Sequence, residues 1–261
     1  MIDLHCHVLP GIDDGPDSAE ESLELARAAR ADGTTTIVAT PHVDWRHSDV
    51  RAPAVAAGVA ALQPLLDAAG VDVRLVAGAE VALDRAVDLT EDELFALHLG
   101  DGPWLLLECP LSPSQTAGFA AGARALSARG HRVLLAHPER SPLFLRDPDL
   151  LDALVADGAL AQVTAGALSG VFGSTVRRAA AQFVESGAVQ IVASDGHGPH
   201  RPPAIAEHLD TAGVDPDIAA WLSQDVPAAV LAGAPIPERP QAPVADGGRS
   251  RRSLRRLLGG S

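Results

Sequence analysis

MIDLHCHVLPGIDDGPDSAEESLELARAARADG, residues 1–33, reads as a short strand, a turn-rich loop and a helix, and this unit decides the fold. Ile2–His7 is a strand in which alternation puts the imidazoles of His5 and His7 on one face and Cys6 on the other. Ser18 with Glu21 three residues on forms a capping box, and Gly33 closes the helix over Ser18–Ala31.

The same unit recurs along the chain. Further apolar runs bounded by turn residues are Thr34–Ala39, Val73–Ala79, Trp104–Cys109, Arg132–Ala136, Leu160–Thr164 and Val189–Ala193. Between them, Ala52–Ala69, Thr90–Leu97, Ser114–Ala128, Pro148–Ala156, Ser174–Ser186 and Pro203–Ala212 carry helical spacing, and Asp215–Leu231 reads as a closing helix. Strand–helix alternation of this kind makes a mostly parallel sheet. Without a Gly-rich dinucleotide fingerprint, the α/β chain is expected to close as a barrel rather than a doubly wound sheet. One domain is expected over residues 1–240. The Gly-, Ser- and Arg-rich stretch 241–261, holding five of the 20 arginines, is expected to be a disordered tail.

The bulk composition narrows the function. Hydrophobic residues are 47% of the chain and aromatics 3%, so the core is aliphatic. The net charge of −14 repels phosphate backbones, so no nucleic-acid partner is expected. The chain shows neither a signal-peptide pattern nor an apolar run long enough to span a membrane, so a soluble, cytoplasmic protein without membrane insertion is expected. Cys6 and Cys109 have no zinc-type spacing and suggest no disulfide framework.

The chemistry lies where the strands end. His42 follows the second strand in ATPH, where Pro41 turns the chain, and Glu80 follows the third in AGAE. Glu108 ends WLLLE, where a carboxylate beside four apolar residues is costly unless paired or metal-bound. His137 ends the fifth strand in LLAHPER, and Asp195 and His197 follow the seventh in IVASDGH. Asp13 and Asp14 lie in the GIDDG turn after the first strand, a composition that also suits an ordinary loop. Each residue alone has a bland explanation as a cap or a core histidine. Six of seven strands ending this way is harder to dismiss, because barrel active sites sit at the carboxyl ends of strands. His5, His7, Asp14, His42, Glu80, Glu108, His137, Asp195 and His197 therefore form a candidate set of metal ligands. Nine mixed nitrogen and oxygen donors suit two or three ions, with Mn, Fe or Zn favoured over a cysteine-zinc site. His47, His98, His131, His200 and His208 lack this placement and are read as bystanders.

These motifs resemble the polymerase and histidinol phosphatase (PHP) superfamily, and within it the CpsB/YwqE/CapC group of manganese-dependent protein-tyrosine phosphatases. The matching stretches are IDLHCHVLPGIDDGPDSAEES, TIVATPH, GAE, LLLE, AHPER and ASDGH with RPP after it, over Met1 to about Leu231. The resemblance implies a distorted (β/α)7 barrel with three divalent ions, manganese first among the choices. It implies one ion on His5, His7, Glu80 and Asp195, a second on Glu80, Glu108 and His137, and a third on Asp14, His42 and His197. Arg140 matches an arginine that contacts phosphate in that group. Arg201 matches a second one through RPP, although its spacing from His197 is one residue shorter. The implied reaction is hydrolysis of phosphotyrosine by metal-activated water. The implied partner is the C-terminal tail of a bacterial tyrosine kinase of capsule or exopolysaccharide biosynthesis.

Four other readings stand beside this one. Tyrosine-phosphatase chemistry on cysteine needs Arg six residues after the nucleophile, and Ile12 and Gln115 occupy those places. Metal amidohydrolases also open with H-x-H, but many bridge two metals with a carbamylated lysine, and this chain has none. A small-molecule phosphatase acting on histidinol-phosphate-like compounds keeps the same ligands, whereas a non-catalytic binding module would be expected to have lost some.

Overall fold

The computed structural model describes residues 1–241. Apart from its first residue, the stretch expected to be a tail lies outside the described residues. Within them, nine short strands lie parallel: β1 (Ile2–Cys6), β2 (Thr36–Ala39), β3 (His42–Val43), β4 (Arg74–Ala77), β5 (Glu80–Val81), β6 (Trp104–Glu108), β7 (Arg132–Ala136), β8 (Leu160–Thr164) and β9 (Ile191–Ala193). They form a sheet in the order β1-β2-β4 and another in the order β3-β5-β6-β7-β8-β9.

The two sheets are one wall with a local break. Pro41 removes a backbone donor between β2 and β3, and Gly78 lies between β4 and β5. Pairing continues across the break, because Gly78 N–H donates to Ala39 O at 3.0 Å and Glu80 N–H to Pro41 O at 3.1 Å. Gly78 is required by close approach: a Cβ there would meet Val38 Cγ1 at 2.8 Å and Leu99 Cδ2 at 2.9 Å. The wall also returns on itself. Asp195 N–H donates to His5 O at 2.8 Å and His7 N–H to Gly196 O at 2.9 Å, so the exit of β9 meets β1. Asp3 reinforces this seam from a fully buried position, accepting the Ser194 N–H at 3.0 Å and its hydroxyl at 2.5 Å. The seven strand positions expected from sequence are thus present, and after two of them, Thr34–Ala39 and Val73–Ala79, a further two-residue strand follows the break, β3 and β5.

Helices cover the strands, which explains why most strand residues are buried on both faces. The helix Ala19–Ala31 starts at Ser18, whose hydroxyl accepts Glu21 N–H at 3.3 Å, but the expected capping box is incomplete, because Glu21 Oε2 accepts the Asp17 N–H at 2.8 Å instead of that of Ser18. The stretch expected as one helix from Ser114 is a 3-10 turn, Pro113–Gln115, and a helix, Phe119–Ala128, separated at Gly118 with φ 77°. The closing helix, by contrast, runs without interruption from Pro216 to Ala232, with a π-helical turn over Trp221–Asp225 in its middle. No helix among the described residues is long and apolar enough to cross a membrane.

Candidate metal centre

All nine candidate ligands gather at the carboxyl ends of the strands. Glu80 is the hub. The β3–β5 register sets it opposite His42, and its side chain is fully buried. Its Oε2 lies 3.0 Å from His42 Nδ1, 3.3 Å from His5 Nε2 and 3.4 Å from His7 Nε2, and its Oε1 is 2.7 Å from His137 Nε2. Asp195 forms a second focus: its Oδ1 lies 3.5 Å from His5 Nε2, 3.6 Å from His7 Nε2 and 3.6 Å from His197 Nδ1. Asp14, the most exposed member, puts Oδ1 3.2 Å from His197 Nε2 and 3.5 Å from His42 Nε2.

Three tight groups of donor atoms result: His7 with Asp14, His42 and His197; His5 with His7 and Glu80; and His42 with Glu80 and Glu108. This partition differs in detail from the one the resemblance implies, because His7 also faces the Asp14 group and Glu108 faces His42 rather than His137. Two of the nine, His137 with φ 40° and Asp195 with φ 51°, are the non-glycine residues held in the left-handed backbone region among those described. That conformation costs on the order of 1 kcal/mol or more per residue. Here it turns each side chain out of its strand's alternation and into the centre.

Two residues that the sequence reading passed over orient the imidazoles. His7 Nδ1–H donates to Asp13 Oδ2 at 2.6 Å, and the same carboxylate accepts the His42 N–H at 3.0 Å. His5 Nδ1–H donates to Gln162 Oε1 at 3.0 Å from the middle of β8. With Nδ1 carrying the proton, each neutral ring presents a bare Nε2, and these two atoms are 3.2 Å apart. Two lone pairs so close repel unless one ring takes a proton on Nε2 or a metal cation lies against both. The signal for Gln162 was available in LAQVT, where it is the one amide in a fully buried strand. Asp13 gave none beyond its neighbour, because DDG reads as a turn.

The carboxylates draw positive charge to the same place, which without a metal the imidazoles supply by taking up protons. Burial opposes charge on His5, but Glu80 and Asp195 outweigh it and hold the imidazole up at about 9. His42 is pushed up to about 10 against its burial, chiefly by Glu80. Glu80 stays well below the ordinary carboxylate range although burial opposes this, because His5 and His42 face it. Glu108 is raised to about 7 by burial and by Glu80. His42 Nδ1 and Glu80 Oε2 lie 3.0 Å apart without good hydrogen-bond alignment, and buried His137 Nδ1 has no hydrogen-bond partner. Orphaned donor atoms, facing lone pairs and clustered carboxylates fit a divalent metal centre better than a plain hydrogen-bond network.

Both candidate phosphate arginines border this centre. Arg140 donates to Asp195 Oδ2 at 2.5 Å and lies 4.6 Å over the Phe172 ring. Arg201 lies 3.4 Å from Asp195 Oδ1 and against the His197 ring. Of the bystanders, His47 lies nearer than expected, stacked on His42 with ring centroids 5.7 Å apart, whereas His98 and His131 pair with each other. His200 is exposed, and His208 meets the Ser169 hydroxyl at 2.9 Å. Cys6 is fully buried against Gly196 O, apart from the imidazole cluster.

The family model described as "Capsular polysaccharide synthesis, CpsB/CapC" matches residues 1–216. The chain is 34% identical over 201 residues to the tyrosine-protein phosphatase YwqE of Bacillus subtilis, covering 76% of this chain and 77% of that protein. It is 27% identical over 218 residues to the tyrosine-protein phosphatase CpsB of Streptococcus pneumoniae, covering 80% of this chain and 88% of that one. Crystal structures of those two proteins are described as "unique metal-dependent tyrosine phosphatases". One such chain superposes with a TM-score of 0.81 at 29% identity, over 93% of this chain and 100% of that chain.

Proposed function

The chain belongs to the CpsB/CapC family of capsular polysaccharide synthesis, and from that premise we propose that it is a metal-dependent protein-tyrosine phosphatase, a phosphoric monoester hydrolase. The observation that carries the reading is the enclosure of buried Glu80 by four imidazoles, with two arginines at the adjoining carboxylate of Asp195.

By the family resemblance, His5, His7, Glu80 and Asp195 would hold one ion, Glu80, Glu108 and His137 a second, and Asp14, His42 and His197 a third, with His7 and His42 lying within reach of a second group as well. Mn is the expected metal, with Fe or Zn as alternatives. When bound, such ions bring the ionisation of a coordinated water towards neutral pH and offset charge on the phosphoryl oxygens. The chain's own residues do the rest. Asp13 and Gln162 keep the Nε2 atoms of His7 and His5 turned inwards. Arg140 and Arg201 offer planar N–H pairs that match the non-bridging oxygens of a phosphate. A phenolate leaves with a pKa of about 10, so it needs less proton donation than an alkoxide would.

The substrate is a phosphotyrosine protein. The partner we infer is a tyrosine kinase of capsule or exopolysaccharide assembly, with the Tyr-rich C-terminal tail dephosphorylated in the cytoplasm. The family description and the activities named for the relatives support this. The test is to strip the protein with a chelator, restore Mn, Zn or Mg, and compare a phosphotyrosine peptide with histidinol phosphate. Activity should vanish on stripping, return best with Mn and favour the peptide. A preference for histidinol phosphate would replace the substrate class, and turnover by the stripped protein would overturn the metal reading.

A further inference from the structure

We propose that the exposed face of Trp45 receives an apolar side chain of the substrate peptide close to its phosphotyrosine, and so sets peptide specificity. This rests on the phosphatase reading above and goes beyond it to the substrate's flanks.

Trp45 is 56% exposed, whereas Trp104 and Trp221 are buried. Leaving an indole in water forgoes its large apolar burial, and the chain is otherwise sparing with aromatics, at 3% and with no Tyr. The ring is nonetheless held in place. The Arg85 guanidinium lies 4.7 Å from its centroid, and Arg85, itself 3% exposed, is anchored on Asp88 Oδ2 at 2.5 Å. One face of the indole is therefore clamped while the ring as a whole stays largely open to solvent. A rigid, half-covered aromatic loses little freedom when a second group covers it.

The position of the ring supplies the occupant. Trp45 lies on the loop leaving β3, three residues after His42, a span of at most about 11 Å. Ala82 N–H donates to Val43 O at 3.1 Å, so this loop and the exit of β5, which carries Arg85, leave the same end of the wall side by side. His47 of the same loop packs on His42, and Asp44 pins the loop by accepting the His47 N–H at 2.7 Å. An extended peptide advances about 3.4 Å per residue, so a phosphotyrosine at the centre brings side chains within about three positions of it over the Trp45 loop. A small aryl phosphate has no such flank. The indole therefore has a use for a peptide that it lacks for a small substrate.

The experiment uses the metal-loaded full chain and its W45A and W45F variants. Three substrates are compared: para-nitrophenyl phosphate, a phosphotyrosine peptide with Leu at the three positions on each side, and the same peptide with Ser there. In W45A the ratio of kcat/KM for the Leu peptide to that for the aryl phosphate should fall about five- to twentyfold, mostly through KM. The ratio for the Ser peptide should move less than twofold, and W45F should recover most of the loss. Equal losses on all three substrates, or an unmoved Leu-peptide ratio, would overturn the proposal. A wild-type protein that hydrolyses neither peptide would overturn the phosphatase reading itself. Peptide turnover with an unmoved ratio sinks only the role of Trp45.

Discussion

The Asp13 carboxylate lies 2.6 Å from Nδ1 of His7, which fixes the proton on that nitrogen and turns the other towards Glu80. The carboxylate also accepts the His42 and Gly15 N–H groups, so a single side chain sets one imidazole and the backbone of another. Partners of this kind outside a ligand shell are worth about 10–100-fold in metal affinity. Asp13→Asn should therefore lower Mn affinity by about that factor while leaving the circular dichroism spectrum intact. Calorimetric titration of the stripped protein measures it, and an unchanged affinity would remove Asp13 from the centre's machinery.

Arg140→Lys tests the phosphate clamp. Lysine keeps the charge but loses the planar pair of donors and the packing on Phe172. The expected loss in kcat/KM on para-nitrophenyl phosphate is on the order of 100-fold, with metal content unchanged. Elemental analysis beside the kinetics separates this from a ligand effect, and full activity in the variant would exclude a role for the guanidinium.

Neither thiol should matter to turnover. Cys6 and Cys109 are fully buried, and burial pushes both well above the ordinary thiol range. Iodoacetamide at neutral pH should leave both activity and bound metal in place. Complete inactivation with the metal retained would point instead to a cysteine nucleophile.

Ahead of β6, the strand whose other end carries Glu108, His98 gives the protein an acid limit. Its Nδ1 meets Gly102 O at 3.2 Å and its Nε2 meets His131 at 2.9 Å, while His131 reaches Glu91. Burial, with His131 beside it, holds the His98 imidazole down at about 4. Between an unfolded value of about 6.5 and that figure, the unfolded chain binds the extra proton. The stability linked to His98 is therefore complete above about pH 6.5 and is lost as the pH falls through this window. The urea midpoint of the wild type should drop more steeply from pH 7 to pH 4.5 than that of His98→Gln, and parallel curves would remove His98 as the cause.

The strand ends were legible because an apolar run stopping at His or Glu is a local pattern. WLLLE and LLAHPER carry both the strand and the ligand in consecutive residues. The split of the second and third strand positions was half legible: Pro41 marked one break, but Gly78 is fixed by the approach of Val38 and Leu99, which no local pattern contains. Among the side chains, Asp13 and Gln162 were missed for a similar reason. Each acts on an imidazole that another strand or turn brings to it, and Gln162 lies 157 positions from His5. The break at Gly118 was missed because a single glycine inside an Ala-rich stretch also suits a continuous helix. In the structure its positive φ separates the 3-10 turn from the helix.

The seam where Asp195 donates to His5 and His7 to Gly196 has a consequence for how the protein is made. Among the described residues, the first strand is completed by the last. At roughly 5–20 residues per second, the ribosome needs about ten to forty seconds to travel from His7 to His197. Throughout that interval His5 and His7 wait without Asp195, and no earlier fragment of the nascent chain contains the whole centre. The full donor set is thus reserved for a chain elongated past His197, and a chain truncated before β9 would carry most of the candidate ligands without the seam that closes the centre.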